Sequence, residues 1–263
     1  MMVQSLSVFL IVAALNFVPV PVAADTIVPG ALAAVDGNSE NVAPFQASAN
    51  GLRYQQVYAA GEFGPAAIWI DAILFRPESG FAGGDAFTKS FLRVQVDLST
   101  TSAAPDGLSA TLAGNLGADN TTVRSGPVTL SSLDAAGPGD TRAFDILIPF
   151  STSFLYDPTL GNLLLDIRVS PSLGNATIFD ATNSSGDSVS RAIGAAENAT
   201  SASIRDSFGL VTKFRTHAVS AVPDSASSLP LFVMGIASLC AARKLLIPQR
   251  HRWIHAQRAH GRQ

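Results

Sequence analysis

Few residues in this chain could carry chemistry. Of its four histidines, His251, His255 and His260 lie among the C-terminal cations, which leaves His217 alone in the main body. A Ser–His–Asp relay or an imidazole metal site there would have to use it, and no G-x-S-x-G or H-E-x-x-H run occurs. His217 reads instead as a surface residue on the last strand. Glycoside cleavage needs two carboxylates facing one cleft, one of them kept protonated. Glu62 and Glu78 flank the apolar run 66–76, and Asp71 interrupts it. Nothing in the spacing fixes a pair, and Asp71 is expected to meet Arg76 or an edge backbone group. No catalytic residue is assigned.

Two stretches are rich in oxygen donors. "DGNSEN" sets Asp36, Asn38 and Glu40 at alternate positions, as at the start of an EF-hand loop, with Asn41 where that loop needs glycine. "FDATNSSGD" gathers Asp180, Asn183 and Asp187. Calcium is the one ion such loops suit, but neither stretch defines a ligand set, so no metal or cofactor site is assigned. Glycan binding would show as exposed aromatic side chains, for which Trp69, Tyr54, Tyr58 and Tyr156 are the candidates. Trp69 is expected to fill the core, because its strand is apolar on both faces.

The elements that must position these residues read as β-strands. In "FLRVQVDLST", Leu92, Val94, Val96 and Leu98 alternate with Arg93, Gln95 and Asp97. "NLLLDIRVS" puts Leu163, Leu165, Ile167 and Val169 inward, with Asp166 and Arg168 outward. "AFDILIPF" aligns Phe144, Ile146, Ile148 and Phe150, and "AIWIDAILFRP" predicts a central strand ended by Pro77. Phe208, Leu210 and Phe214 form a late strand, with weaker ones at 122–124, 128–132, 175–179 and 189–193. A short helix is expected around Tyr54–Gly61. Turns such as "APDG" at 104–107 and "NSSGD" at 183–187 separate the strands. Eight to ten strands across residues 51–219 predict an all-β, jelly-roll-like sandwich. Residues 25–50 read as a flexible leader.

Charge and cysteine usage narrow the setting. Residues 25–222 carry nineteen acidic and eleven basic side chains, whereas 243–263 carry six basic and no acidic ones. An acidic body excludes the clustered cations that nucleic-acid binding requires. The sole cysteine, Cys240, lies outside that body, so neither a disulfide framework nor a thiolate zinc site is available to it.

Both ends read as addresses. The apolar run Val8–Val18 and the small residues Val22-Ala23-Ala24 predict a signal peptide over 1–24, cut before Asp25. Near the other end, "VPDSASSLPLFVMGIASLCAARK" joins a Pro-Asp turn, an uncharged run and two cations. Residues 226–242 would span roughly 25 Å as a helix, slightly less than the ~30 Å hydrocarbon layer. The basic stretch 245–263 then suits a cytoplasmic tail.

Val222, Pro223, Asp224 and Ser225, the uncharged run, and Arg243-Lys244 together resemble the PEP-CTERM sorting signal in its VPDSG-like variant. "RYQQVYAAGEF" and "FLYDPTLGNLLLDIRV" also look like a recurring ectodomain of such proteins. The resemblance implies an exosortase-like processing enzyme and the membrane as partners. It also implies a non-enzymatic bacterial surface or extracellular-matrix protein that binds exopolysaccharide or other surface proteins. The alternatives are a secreted carbohydrate-active enzyme and an uncleaved, membrane-anchored periplasmic protein.

Overall fold

The computed structural model describes residues 23–80 and 84–219. The chain divides into two units, Met1–Val219 and Ser220–Gln263. The predicted sorting motif, the helix over 226–242, Arg243-Lys244 and the tail all fall in the second unit, outside the described residues. The signal peptide up to residue 22 also lies outside the described residues. No helix among the described residues is long and apolar enough to cross a membrane.

The first unit is all-β and sandwich-like. Thirteen strands are described: β1 Ala23–Val28, β2 Ser39–Asn41, β3 Leu52–Tyr58, β4 Ile68–Phe75, β5 Phe87–Thr101, β6 Thr121–Ser132, β7 Ile146–Tyr156, β8 Asn162–Val169, β9 Phe179–Asn183, β10 Val189–Gly194, β11 Ile204–Asp206, β12 Phe208–Leu210 and β13 Thr212–Ala218. They form a sheet in the order β1-β13-β4-β7, a larger one in the order β11-β10-β3-β8-β5-β6, and a small one in the order β12-β9-β2. One apolar core takes Leu163, Leu165, Ile167 and Val169 from β8, Ile146, Ile148 and Phe154 from β7, and Phe214 from β13. Tyr58 of the large sheet meets Phe214 of the four-stranded sheet edge-on, with ring centroids 4.9 Å apart. Each such side chain contributes about 1.5–3 kcal/mol by leaving water.

Two bulges switch which face a strand buries. On β4, Ile68 and Ile70 point into the core, but so do Ile73 and Phe75. The parity changes because Asp71 is an extra residue against β13, where Ile70 opposes Thr216 and Ala72 already opposes Arg215. That switch makes the sequence of β4 look apolar on both faces. On β5 the register slips between Phe91 and Val94. Leu92, expected inward, falls in the slip and is 83% exposed.

A second layer covers part of the large sheet's outer face. Leu108 and Leu112, from the segment between β5 and β6, pack with Val57, Leu164 and Ala192. Asp166 therefore points away from the main core, as its alternation requires, yet is only 1% exposed. Arg53 grips it with Nε 3.0 Å from Oδ1 and Nη2 2.5 Å from Oδ2. Gln55 donates to Asp166 at 2.9 Å and accepts from Asn115 at 2.8 Å. Buried polar groups on this scale require such partners.

Three other expectations are corrected. The segment 25–50 is built into the fold: β1 pairs with β13, β2 pairs with β9, and Phe45 is fully buried against Phe75, Phe91 and Phe179. Tyr54–Gly61 holds strand β3 and a 3-10 turn at Ala60–Phe63, because both faces of β3 are covered and a single helical stripe would not serve. Residues 175–178 are irregular, and the strand expected there begins only at Phe179.

Candidate functional site

Glu78 and Asp180 come together through an extension of strand pairing. Just past β4, Pro77 bridges Phe179, the Glu78 N–H donates to the Ile178 carbonyl at 3.0 Å, and the Asp180 N–H donates to the Arg76 carbonyl at 3.2 Å. Side chains two residues apart on an extended chain share a face. Phe75 and Phe179 turn to the core, where their rings meet at 5.9 Å, and Arg76 and Asp180 turn the other way. Arg76 reaches Asp180 with Nε 2.5 Å from Oδ2, and neither side chain is exposed. Its Nη2 also donates to the carbonyls of Leu32 at 2.9 Å and Val35 at 2.8 Å. The same guanidinium lies 4.8 Å from the centroid of the Phe144 ring.

Those carbonyl contacts fix the loop that carries Asp36. The next residue, Gly37, donates its N–H to Asp180 Oδ1 at 2.8 Å. A Cβ at position 37 would lie 1.9 Å from the Ala181 carbonyl oxygen, so only glycine allows this approach. Asp36, Glu78 and Asp180 thereby bring carboxylate oxygens within 4.8 Å of one another. Asp36 and Glu78 border a cleft of about 240 Å³ lined also by Gly37, Asn38, Ser39, Glu40 and Gly80, with Asp180 behind them.

The electrostatics of the cluster are unbalanced. Glu78 is 3% exposed, and one of its oxygens accepts the Gly80 N–H at 2.9 Å. Its other oxygen, Oε2, is buried without a hydrogen-bond partner, as is Asp36 Oδ1. Burial raises the Glu78 carboxyl to about 7; the Gly80 N–H opposes the rise, while the hydrogen bond that protonation allows with the Asp36 carboxylate, and the charges of Asp36 and Asp180, add to it. Burial likewise lifts Asp180 to about 6, against the pull of Arg76 and the Gly37 N–H. The cluster is thus suited to holding a proton or a hard cation.

The sequence flagged Asp36 and Asp180 in separate stretches, and Glu78 only as a catalytic candidate; the fold unites them. Asn38 joins the two oxygen-rich stretches differently: its Oδ1 accepts the Asn183 N–H at 2.7 Å, and its Nδ2 donates to Ser184 Oγ at 3.0 Å. Glu40 is exposed on β2, where it pairs with Asp180 through the backbone. Asp187 closes its own turn by accepting from Thr182 and from the Val189 N–H. Glu62 does not line the cleft of Glu78. Its Oε2 accepts the Gly30 N–H at 2.9 Å.

Asp71 meets neither Arg76 nor an edge backbone group. The bulge aims it at His217, whose Nδ1 lies 2.7 Å from Oδ2, and at Ser153, whose hydroxyl donates to Oδ1 at 2.5 Å. Trp69 is half-buried rather than a core residue, and it stacks on the His217 ring at 6.5 Å. A nucleophilic relay needs the serine hydroxyl on the imidazole. Here serine and histidine both fasten to the carboxylate, which makes a surface clip. The tyrosines proposed for glycan stacking are fully buried: Tyr54 donates to Gln56 at 2.5 Å, Tyr58 shares a hydrogen bond with Thr212 at 2.9 Å, and Tyr156 donates to the Gly161 carbonyl at 2.9 Å.

A second cleft, of about 350 Å³, lies beside β10 and β11 and is lined by Asp106, Ser190, Arg191, Arg205, Asp206 and Ser207, among others. Arg191 holds Asp206 through two hydrogen bonds of 2.8 and 3.0 Å, and its guanidinium stacks 4.3 Å above the Phe208 ring. No protein-family profile, curated protein or solved structure matches this chain.

Proposed function

We propose that this is an exported, non-enzymatic surface or extracellular-matrix protein whose sandwich-like, jelly-roll-type body binds exopolysaccharide. The observation that carries the reading is the order of its C-terminal parts: Val222-Pro223-Asp224-Ser225, an uncharged run, then Arg243-Lys244. In this reading an exosortase-like enzyme processes the turn while the helix holds it at the bilayer. The cleft beside β10 and β11 supports a glycan as the ligand. It is open, lined by hydroxyl, carboxylate and guanidinium groups, and flanked by the Arg191–Phe208 stack, features that suit sugar hydroxyls.

The test has two measurements on the chain expressed in an exporting bacterium. Mass spectrometry of the mature protein should find Asp25 at the start and no residues beyond the sorting motif. An intact 243–263 tail on every molecule would instead establish the uncleaved anchored form. Retention on exopolysaccharide without released sugar, weakened by Arg205→Ala, supports the glycan reading. Released sugar would replace it with the enzymatic one.

A further inference from the structure

We propose that Asp36, Glu78 and Asp180 form a calcium site. Three observations point to an ion. Their ligand oxygens converge within 4.8 Å from three separate chain segments. Glu78 is more than nine-tenths buried, yet its Oε2 has no hydrogen-bond partner, and Asp36 Oδ1 is equally unpartnered. Buried carboxylate oxygens without donors are rare because desolvation is uncompensated. Finally, three carboxylates against the single guanidinium of Arg76 leave two negative charges, which one divalent cation neutralises.

The donor set selects among cations. It consists of carboxylate oxygens, with neither imidazole nor thiolate in the group, which disfavours zinc and copper. Mg²⁺ demands near-octahedral geometry and keeps most of its water, whereas Ca²⁺ accepts irregular oxygen cages built on loops. Two of the three segments here are of that irregular kind, the 30–38 loop and the chain just beyond β4, while Asp180 comes from strand β9. The adjoining cleft leaves room for water to complete the shell. Arg76 is the positioning residue, since it holds the carbonyls of Leu32 and Val35 as well as Asp180.

The competing occupant is a proton shared between Glu78 and Asp36, and the experiment separates the two. The full-length chain, stripped with a chelator and dialysed free of it, is titrated calorimetrically with CaCl₂ or MgCl₂ up to about 5 mM, a range that covers extracellular calcium modules. Calcium should bind once per chain and raise the melting temperature by roughly 5–10 °C at about a hundredfold excess over its dissociation constant. Magnesium should shift it much less. Glu78→Gln and Asp36→Asn should each abolish the heat and the shift, while Asp140→Asn, at an exposed turn, retains both. Should Glu78→Gln fail to fold, the wild-type titration and the half-exposed Asp36 variant still decide the matter. No heat and no shift with calcium would overturn the proposal. So would an equal response to magnesium, or full binding in the folded Glu78 and Asp36 variants.

Discussion

Arg76 and Asp180 form an ion pair from which water is wholly excluded: Nε lies 2.5 Å from Oδ2, and both side chains have zero exposure. Two loop carbonyls and the Phe144 ring complete the arginine's surroundings. Breaking such a pair from one side leaves the other charge stranded. Arg76→Met, which roughly keeps the volume, should therefore lower stability by about 3–5 kcal/mol in urea unfolding. Arg76→Met combined with Asp180→Leu should recover part of that loss, because neither member of the pair is then left as an unpaired charge.

The chelated protein should become less stable as the solution turns from acid to neutral. Glu78 titrates near 7 in the folded chain against an ordinary value of 4.5, so between those limits the folded state holds the extra proton. Stability then falls as pH rises through this window and levels off above it. Glu78 contributes on the order of 3 kcal/mol to the change. Asp180 and Asp187, also raised by burial, act in the same direction. Urea midpoints at intervals from pH 5 to pH 8 should show the slope, and Glu78→Gln should flatten most of it.

Gly37→Ala tests the close approach of the Asp36 loop to β9. The new Cβ would meet the Ala181 carbonyl oxygen at 1.9 Å and Asp180 Oδ1 at 2.5 Å, both part of packed structure. Relief requires β2 to move away from β9, at a cost of about 1–3 kcal/mol. Hydrogen exchange should quicken at the amides of β2 and leave β8 unchanged.

Leu112→Ala tests the outer layer. Leu112, in the β5–β6 segment, is fully buried against the large sheet, so truncation should cost about 2–5 kcal/mol through lost burial and a residual cavity. Leu92→Ser, at an 83% exposed bulge position, should stay within about 0.5 kcal/mol in the same assay.

That contrast marks how far the sequence could be read. Alternation located β8 and the part of β5 beyond Val94, because Leu163, Leu165, Ile167 and Val169, like Val94, Val96 and Leu98, set a period of two against one core. It misassigned Leu92 and blurred β4, because a bulge inserts one residue and leaves no local trace. Asp166 faces away from the main core, as its position implied; the groups that take its buried oxygens, Arg53 and Gln55, lie more than a hundred residues earlier in the chain. The pairing of β1 with β13 was equally illegible, since both partners are short segments separated by nearly the whole body.

The carboxylate cluster was legible only in parts. Its members lie at 36, 78 and 180, and no local spacing connects them. One signal was present: "RPE" directly after a strongly apolar strand places two opposite charges on one face beside a core edge. The arginine must find a partner there, and Asp180 is that partner.

The hydrogen bonding of β1 to β13 has a kinetic corollary. Ala23 opposes His217 and Val28 opposes Thr212, so the earliest strand waits for the latest before its sheet can close. Loop closure across almost the entire body must precede that step, which makes folding slow and late. A nascent chain halted before Thr212 would leave both β1 and β4 with open edges, ready to pair with the wrong neighbour.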